Sequence, residues 1–317
     1  MIHKLLQQFS PEFAHDIAKF GMKMGLCAQG ELHADDDIRL FGIKINNPFG
    51  MAAGFDKNAD LIDTATKYGF GWNEIGSVTC NGGVGNPKPR MFRLEDGHSV
   101  MNRMGLNGLP ASVVEQRVRA SKSKHFAINI AKTHDPKIMN DVAIHDIMST
   151  YSRFHDLGIY TVLNISCPNT KEGKTFEDLG ALRELLDCLE YIRNCNSRPL
   201  LLKLSPTFSD FDGLVKMAVD YEISGFVACN TLPLTHDKNG KGGASGLHVK
   251  PLAISVVKSL RERLPDITII GCGGIFDVKD VIDYHVAGAN FFQAYNGFVR
   301  GPRSGLNFVK HLMTWNR

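Results

Sequence analysis

The chain has 317 residues, 43% of them hydrophobic and 22% charged, with a formal net charge of +3. So small an excess, with no basic block, argues against a nucleic-acid partner, and no apolar run approaches the ~18 residues of a membrane span. Seven cysteines, an odd number with no C-x-x-C pair, argue against a disulfide framework or a zinc site and fit a reducing compartment. The N-terminal residues lack the continuous apolar core and small-residue cleavage site of a secretory signal. The expectation is a protein that stays inside the cell.

Residues 1–37 read as a helical extension ahead of a main body over 38–317. Leu5, Leu6 and Phe9 make one short apolar face. Ser10-Pro11 is an N-cap followed by a proline at the first helical position, opening a second helix with Phe13, Ile17, Phe20 and Met24 at helical spacing and Gly25 as its stop. Two short amphipathic helices can cover the mouth of a larger domain, pack as a structural cap, or lie on the inner face of a membrane as a peripheral attachment.

From residue 38 strands alternate with helices. The strand runs are Pro48–Ala53, Trp72–Ile75, Ala127–Ile130, Thr161–Ile165, Leu200–Leu204, Phe226–Cys229, Ile267–Ile270 and Phe291–Ala294. Helical patterns cover Ala59–Tyr68, Ala143–Leu157, Ala181–Arg193, Asp210–Tyr221, Pro251–Leu264, Val278–Val286 and Gly301–Trp315. Short, nearly all-apolar runs are what parallel strands buried on both faces require. Eight such units predict an α/β protein with a (β/α)8 TIM barrel, a doubly wound sheet being the competitor. Residues 77–110, rich in Gly, Pro, Asn and Arg, exceed a simple connection and read as a functional loop.

Nearly every strand runs into polar residues, and a barrel gathers those positions at one face. They are Gly54-Phe55-Asp56-Lys57, Gly76-Ser77, Asn129, Asn164, Lys203, Asn230-Thr231, Gly271-Cys272-Gly273-Gly274 and Tyr295-Asn296. Asn164-Ile165-Ser166-Cys167-Pro168-Asn169 sets a thiol between two carboxamides, a proton acceptor beside groups that bind the edges of an uncharged heterocycle. Lys203 sits inside Leu200–Leu204, where a cation is costly unless it meets an anion. Lys57 suits a substrate carboxylate, with a surface pair to Asp56 as the plain alternative. The Gly271–Gly274 turn, together with Gly242–Gly246, offers backbone N–H groups to a phosphate. There is no G-x-G-x-x-G followed by an acid, no metal-ligand spacing and no Ser/His/Asp arrangement.

These motifs together resemble the dihydroorotate dehydrogenases over essentially the whole chain. Met51–Asn58, Gly76–Thr79, Gly85–Arg90, Asn102–Asn107, Asn164–Thr170 and Ala294–Phe298 carry the likeness. It implies FMN as cofactor, held by Ala53, Gly54, Ser77, Asn129, Asn164, Lys203, Gly246, Gly274, Tyr295 and Asn296. It implies dihydroorotate as substrate, bound by Lys57, Asn102, Arg103, Met104, Gly105, Leu106, Asn164, Asn169, Asn230 and Thr231, with Cys167 as the base. The N-terminal helices, Arg93 and Asn102–Asn107 resemble the membrane-associated class that reduces a quinone. Cys167 resembles the soluble class, whereas the quinone-reducing class has Ser there. Cys229 stands where Thr is usual, and Asn296 where Ser is usual. The expected function is oxidation of dihydroorotate to orotate in pyrimidine synthesis with a quinone as acceptor. The alternative is an FMN oxidoreductase on this scaffold with a soluble acceptor such as fumarate, or with a related substrate.

Overall fold

A computed structural model describes residues 9–34, 37–166, 175–193, 196–300 and 303–315. Leu5 and Leu6, and with them the first expected helix, lie outside the described residues. So do Cys167 and Asn169. In chain order the first elements are α1 (Pro11–Lys23), β1 (Arg39–Leu40), β2 (Ile43–Lys44), β3 (Phe49–Met51), β4 (Trp72–Val78), β5 (Met91–Arg93) and β6 (Val100–Asn102). The middle of the chain forms α2 (Ala111–Ala120), β7 (Phe126–Ile130), α3 (Asp141–Phe154), β8 (Thr161–Asn164), α4 (Leu179–Arg193), β9 (Leu200–Leu204) and α5 (Phe211–Asp220). Then come β10 (Gly225–Ala228), β11 (Leu232–His236), β12 (Gly240–Ser245), α6 (Lys250–Arg263) and β13 (Thr268–Cys272). The chain closes with α7 (Val278–Ala287), β14 (Phe291–Ala294), α8 (Asn296–Arg300) and α9 (Leu306–Leu312).

Strands β3, β4, β7, β8, β9, β10, β13 and β14 pair in parallel in that order, and β14 returns to β3 to close a barrel. All eight strands expected from the sequence are its staves. Period-two alternation sends every second side chain inward. Leu200, Leu202 and Leu204 face the helical layer with Phe49, Ile128 and Leu163. Leu201 turns the other way and joins Trp72, Ala127, Val162, Val227, Ile270 and Phe291 as a dry plug inside the barrel. Gly50 makes room for that plug, since a Cβ there would lie 2.4 Å from the Trp72 ring. Truncating a buried Trp costs about 3–5 kcal/mol, so Trp72 is a principal contributor to closure. Ile38, Leu40 and Ile45, around the β1–β2 hairpin, pack on the same plug.

Two residues further along their strands, the inward positions turn polar. Glu74, Asn129, Asn164, Lys203 and Gln293 occupy them, all buried. The barrel therefore changes from apolar to polar on the way to its C-terminal mouth.

Three expectations need correction. Ala59–Tyr68 is not a helix: Ala59 is left-handed (φ 58°), and the Asp56 carboxylate accepts the N–H groups of Asp60 (2.8 Å) and Leu61 (2.9 Å), so only a 3-10 turn over Ala65–Tyr68 remains. The expected closing helix over Gly301–Trp315 contracts to α9, preceded by Gly305 at φ 61°, while α8 starts earlier at Asn296. The 77–110 segment is more than a loop, because β5 and β6 join β11 and β12 in an antiparallel sheet of order β11-β12-β6-β5. Gly242 and Gly243 thus lie in a strand of this sheet. Gly243 is needed there, as a Cβ would meet the Thr231 hydroxyl at 2.1 Å.

Helix α1 starts as its sequence requires, with Ser10 Oγ accepting from the Phe13 N–H at 3.4 Å and Pro11 following. Ion pairs latch it to the barrel: Glu12 with Arg90 (2.9 Å) and Lys19 with Asp60 (2.7 Å). Phe13 and Phe20, on its outer side, are 50% and 62% exposed. No described helix is long and apolar enough to cross a membrane.

Candidate active site

Burial of this polar layer requires its members to satisfy one another, and all but Gln293 Oε1, which has no partner among the described residues, are satisfied, mostly through a chain of side chains from five strand ends. Asn230 Nδ2 donates to Asn164 Oδ1 (3.2 Å), and Asn164 Nδ2 to Ser77 Oγ (3.3 Å). Ser77 then donates to Asn129 Oδ1 (2.5 Å), and Asn129 Nδ2 to Glu74 Oε1 (2.9 Å). Ser166 bridges the outer end, accepting from Asn230 Nδ2 at 2.7 Å and donating to Asn164 Oδ1 at 2.8 Å. The Lys203 ammonium lies 3.5 Å from Glu74 Oε1. Burial works against charge on Lys203, but the Glu74 carboxylate outweighs it and raises the lysine's pKa. Lys203 thus meets the anion its position demanded, and that anion belongs to the protein.

Lys57 is not in a surface pair with Asp56. Asp56 is fully buried and also accepts from Asn73 Nδ2 at 3.0 Å, which ties the turn after β3 to β4. Burial raises its pKa. Lys57 instead reaches across to the 102–107 loop and donates to Asn107 Oδ1 at 2.7 Å. Burial, followed by the charges of Arg90 and Lys19, lowers its pKa to about 8. A half-desolvated ammonium of this kind gains more from an incoming carboxylate than a surface lysine would.

One cavity of about 700 Å³ gathers most of the expected residues. Ala53, Gly54, Ser77, Lys203, Tyr295 and Asn296 border it on the barrel side. Lys57, Asn164, Asn230, Thr231 and the loop residues Asn102, Arg103, Met104, Gly105 and Leu106 border it on the other. Ala14, His15, Ala18 and Met22 of α1 line the same cavity, with Phe55, Val299 and Leu306, so an apolar passage opens onto the polar chamber. His15 stands at the junction, its Nδ1 3.1 Å from the Tyr295 hydroxyl and its ring edge-on to Phe55. Burial and then the charges of Lys57 and Lys19 depress the pKa of His15 to about 3. Burial pushes the Tyr295 hydroxyl far up, so it stays protonated.

A smaller adjoining cavity of about 80 Å³ is bordered by Gly246, Gly273 and Gly274. Each has positive φ, and a Cβ on Gly274 would meet the Gly246 carbonyl at 2.6 Å. Bare backbone at this position forms a cradle of the size and chemistry that suits a phosphate. Asn129 borders neither cavity and acts through Ser77.

The dihydroorotate dehydrogenase family model matches residues 37–313. The chain belongs to the dihydroorotate dehydrogenase family. Relatives named dihydroorotate dehydrogenase (quinone) include one from Erythrobacter litoralis, 33% identical over 98% of this chain and 93% of its own length. Another, from Corynebacterium striatum, is 37% identical over 86% of this chain and 76% of its own. A crystal structure of ligand-free DHODH from Eimeria tenella superposes with a TM-score of 0.85 at 27% identity, covering 96% of this chain and 93% of that one.

Within this dihydroorotate dehydrogenase scaffold, Arg103 has a second task besides bordering the cavity. The Arg103 guanidinium is engaged by the carbonyls of Asn239 and Pro89 and stacks 5.0 Å above Phe92, so it braces the loop that carries its neighbours. Glu74, Ser166, Asn107 and His15 were not foreseen as site residues. Glu74 had a signal, an acid two residues after an inward-facing Trp in an apolar strand. Ser166 and Asn107 lie inside motifs the sequence marked, Asn164–Asn169 and Asn102–Asn107, but their contacts with Asn230 and Lys57 span 64 and 50 positions and carry no local signal.

Proposed function

We propose that this protein oxidises dihydroorotate to orotate with FMN as its bound cofactor and delivers the electrons to a quinone. The observation that carries this reading is the single cavity in which the polar strand-end residues and the apolar face of α1 meet. A polar chamber suits a small carboxylated heterocycle, and an apolar passage suits a lipid-soluble acceptor. The donor set also fits FMN: glycine N–H groups at Gly246 and Gly274 for the phosphate, Ser77, Asn164 and Lys203 for the ring's polar edge, and Ala53, Gly54, Tyr295 and Asn296 around the rest. When bound, FMN supplies the acceptor for the hydride that leaves C6 of the substrate.

The protein's own part is to hold the substrate and take its proton. Lys57 pairs with the substrate carboxylate. Asn102, Asn164, Asn169 and Asn230, with Thr231 beside them, grip the amide edges of its ring, since each carboxamide both donates and accepts. Cys167 removes the proton from C5; a thiol of ordinary pKa ~8.5 is already close to the working range. Lys203, which borders the cavity, would place positive charge beside a bound flavin and favour the ring's anionic reduced form. The exposed apolar side of α1, with Phe13 and Phe20, favours peripheral attachment to a membrane, where quinone is found.

A soluble acceptor is the second reading, and Cys167 at the base position favours it. Orotate formation assayed with a water-soluble quinone and with fumarate separates the two. Turnover with the quinone alone is the expected result. Turnover with fumarate alone would overturn the quinone assignment and leave the oxidation of dihydroorotate standing.

A further inference from the structure

Glu74 is fully buried inside the barrel, below the cavity, and no step so far uses it. Four donors converge on its two oxygens: Asn129 Nδ2 at 2.9 Å and Lys203 Nζ at 3.5 Å on Oε1, Tyr160 OH at 3.2 Å and Gln293 Nε2 at 2.5 Å on Oε2. Tyr160 and Gln293 are held in turn, for Trp72 Nε1 and Gln293 Nε2 both donate to the Tyr160 hydroxyl, at 2.9 and 3.1 Å. So elaborate a reception for one carboxylate is more than neutralising Lys203 requires.

An ionised carboxylate can only accept. Asn129 must therefore turn its NH2 toward Glu74, which leaves its Oδ1 to receive the Ser77 hydroxyl. Ser77 Oγ, having given its proton, is the acceptor for Asn164 Nδ2. Asn164 Oδ1 is left to accept from Asn230 and Ser166. Every bond in the chain donates toward Glu74, and the last two carboxamides border the substrate chamber.

We propose that Glu74 is a positioning residue that sets the donor–acceptor polarity of Asn129 and Ser77 at the inner end of this chain, the outer end being set by the Thr231 N–H that donates to Asn230 Oδ1 at 2.8 Å, and that it balances the charge of Lys203 beside the bound flavin. This rests on the flavin-dependent reading given above. At the inner end of the chain a carboxylate admits one direction only, whereas an amide admits either. A neutral residue at 74 therefore lets Asn129 turn over, which disturbs the acceptor that Ser77 Oγ offers to Asn164 Nδ2 at the edge of the chamber, and leaves the Lys203 charge uncompensated beside the bound flavin.

The test begins with FMN content of the wild-type protein; flavin-free protein would overturn the flavin reading itself, and this proposal with it. With FMN present, orotate affinity and the flavin midpoint potential are measured for Glu74→Gln and Glu74→Asp. The expected results for Glu74→Gln are an orotate Kd weakened about tenfold or more, in keeping with loss of oriented hydrogen bonds, and a more positive potential, because an anion near the ring has gone. Glu74→Asp keeps the carboxylate and stays close to wild type in potential. Wild-type orotate affinity and potential in Glu74→Gln would overturn the proposal. If Glu74→Gln does not fold because Lys203 is left unpaired, Glu74→Gln/Lys203→Met is compared with Lys203→Met. A more positive potential in the double variant supports the proposal, and equal potentials overturn it.

Discussion

Lys57 should impose an alkaline limit on ligand binding. Its ammonium has a pKa of about 8, depressed by burial and by Arg90 and Lys19, against an ordinary value of 10.5. The sign follows directly: below that pKa the side chain is charged and pairs with a carboxylate, and above it the side chain is neutral and does not. With a pKa of about 8 the charged fraction falls about tenfold between roughly pH 7 and pH 9. Orotate already bears its carboxylate charge throughout this range, so its Kd should weaken by about the same tenfold factor. The assay is equilibrium titration with orotate in the Cys167→Ser variant, which keeps thiol ionisation out of the profile. Lys57→Met should bind weakly at all pH values and show a flat profile. A flat profile with Lys57 present would refute the placement of this ammonium against the ligand's carboxylate.

His15 makes docking of α1 acid-sensitive. Its pKa of about 3 in the docked helix means that a released His15, with an ordinary pKa near 6.5, takes up a proton that the docked one refuses. The docked state keeps its full advantage above pH 6.5 and loses up to about 2 kcal/mol by pH 5, seen as faster hydrogen exchange in Pro11–Lys23; His15→Gln should abolish the dependence. Deleting residues 1–28 should leave flavin reduction by dihydroorotate nearly intact while quinone reduction falls sharply, and full quinone activity in the truncated protein would make α1 purely structural. Phe13→Ser/Phe20→Ser should change stability by only about 0.5 kcal/mol, since both rings are largely exposed, yet reduce association with lipid vesicles. Cys167→Ala should bind FMN and orotate but slow flavin reduction by about 10²-fold or more, and a wild-type rate would give the proton to another group.

The barrel was legible because its strands are short, apolar and buried on both faces, a pattern that Leu200–Leu204 illustrates in full. The strand-end residues were legible for the same reason: once Leu201 and Lys203 share a face, the polar one must lie toward the mouth. Helix α2 escaped notice because Glu115, Gln116, Arg117 and Arg119 surround its buried stripe of Ala111, Val114 and Val118. The antiparallel sheet escaped because β5 and β6 have three residues each and β12 is half glycine, leaving no alternation to detect. Ala59–Tyr68 has helical periodicity, but Asp56 captures backbone donors that a helix would need. Glu74 could be suspected from its strand, yet its partner Lys203 stands 129 positions away, so their pairing is a fact of the closed barrel alone.

Oxidation of dihydroorotate at a flavin bound in this chamber has a direct test. Anaerobic mixing of the purified protein with dihydroorotate, with no other acceptor, tests it in one turnover by stopped-flow absorbance. Bleaching of the flavin band with formation of orotate in equal amount is the expected result. Flavin that keeps its oxidised spectrum while dihydroorotate remains unchanged would contradict it.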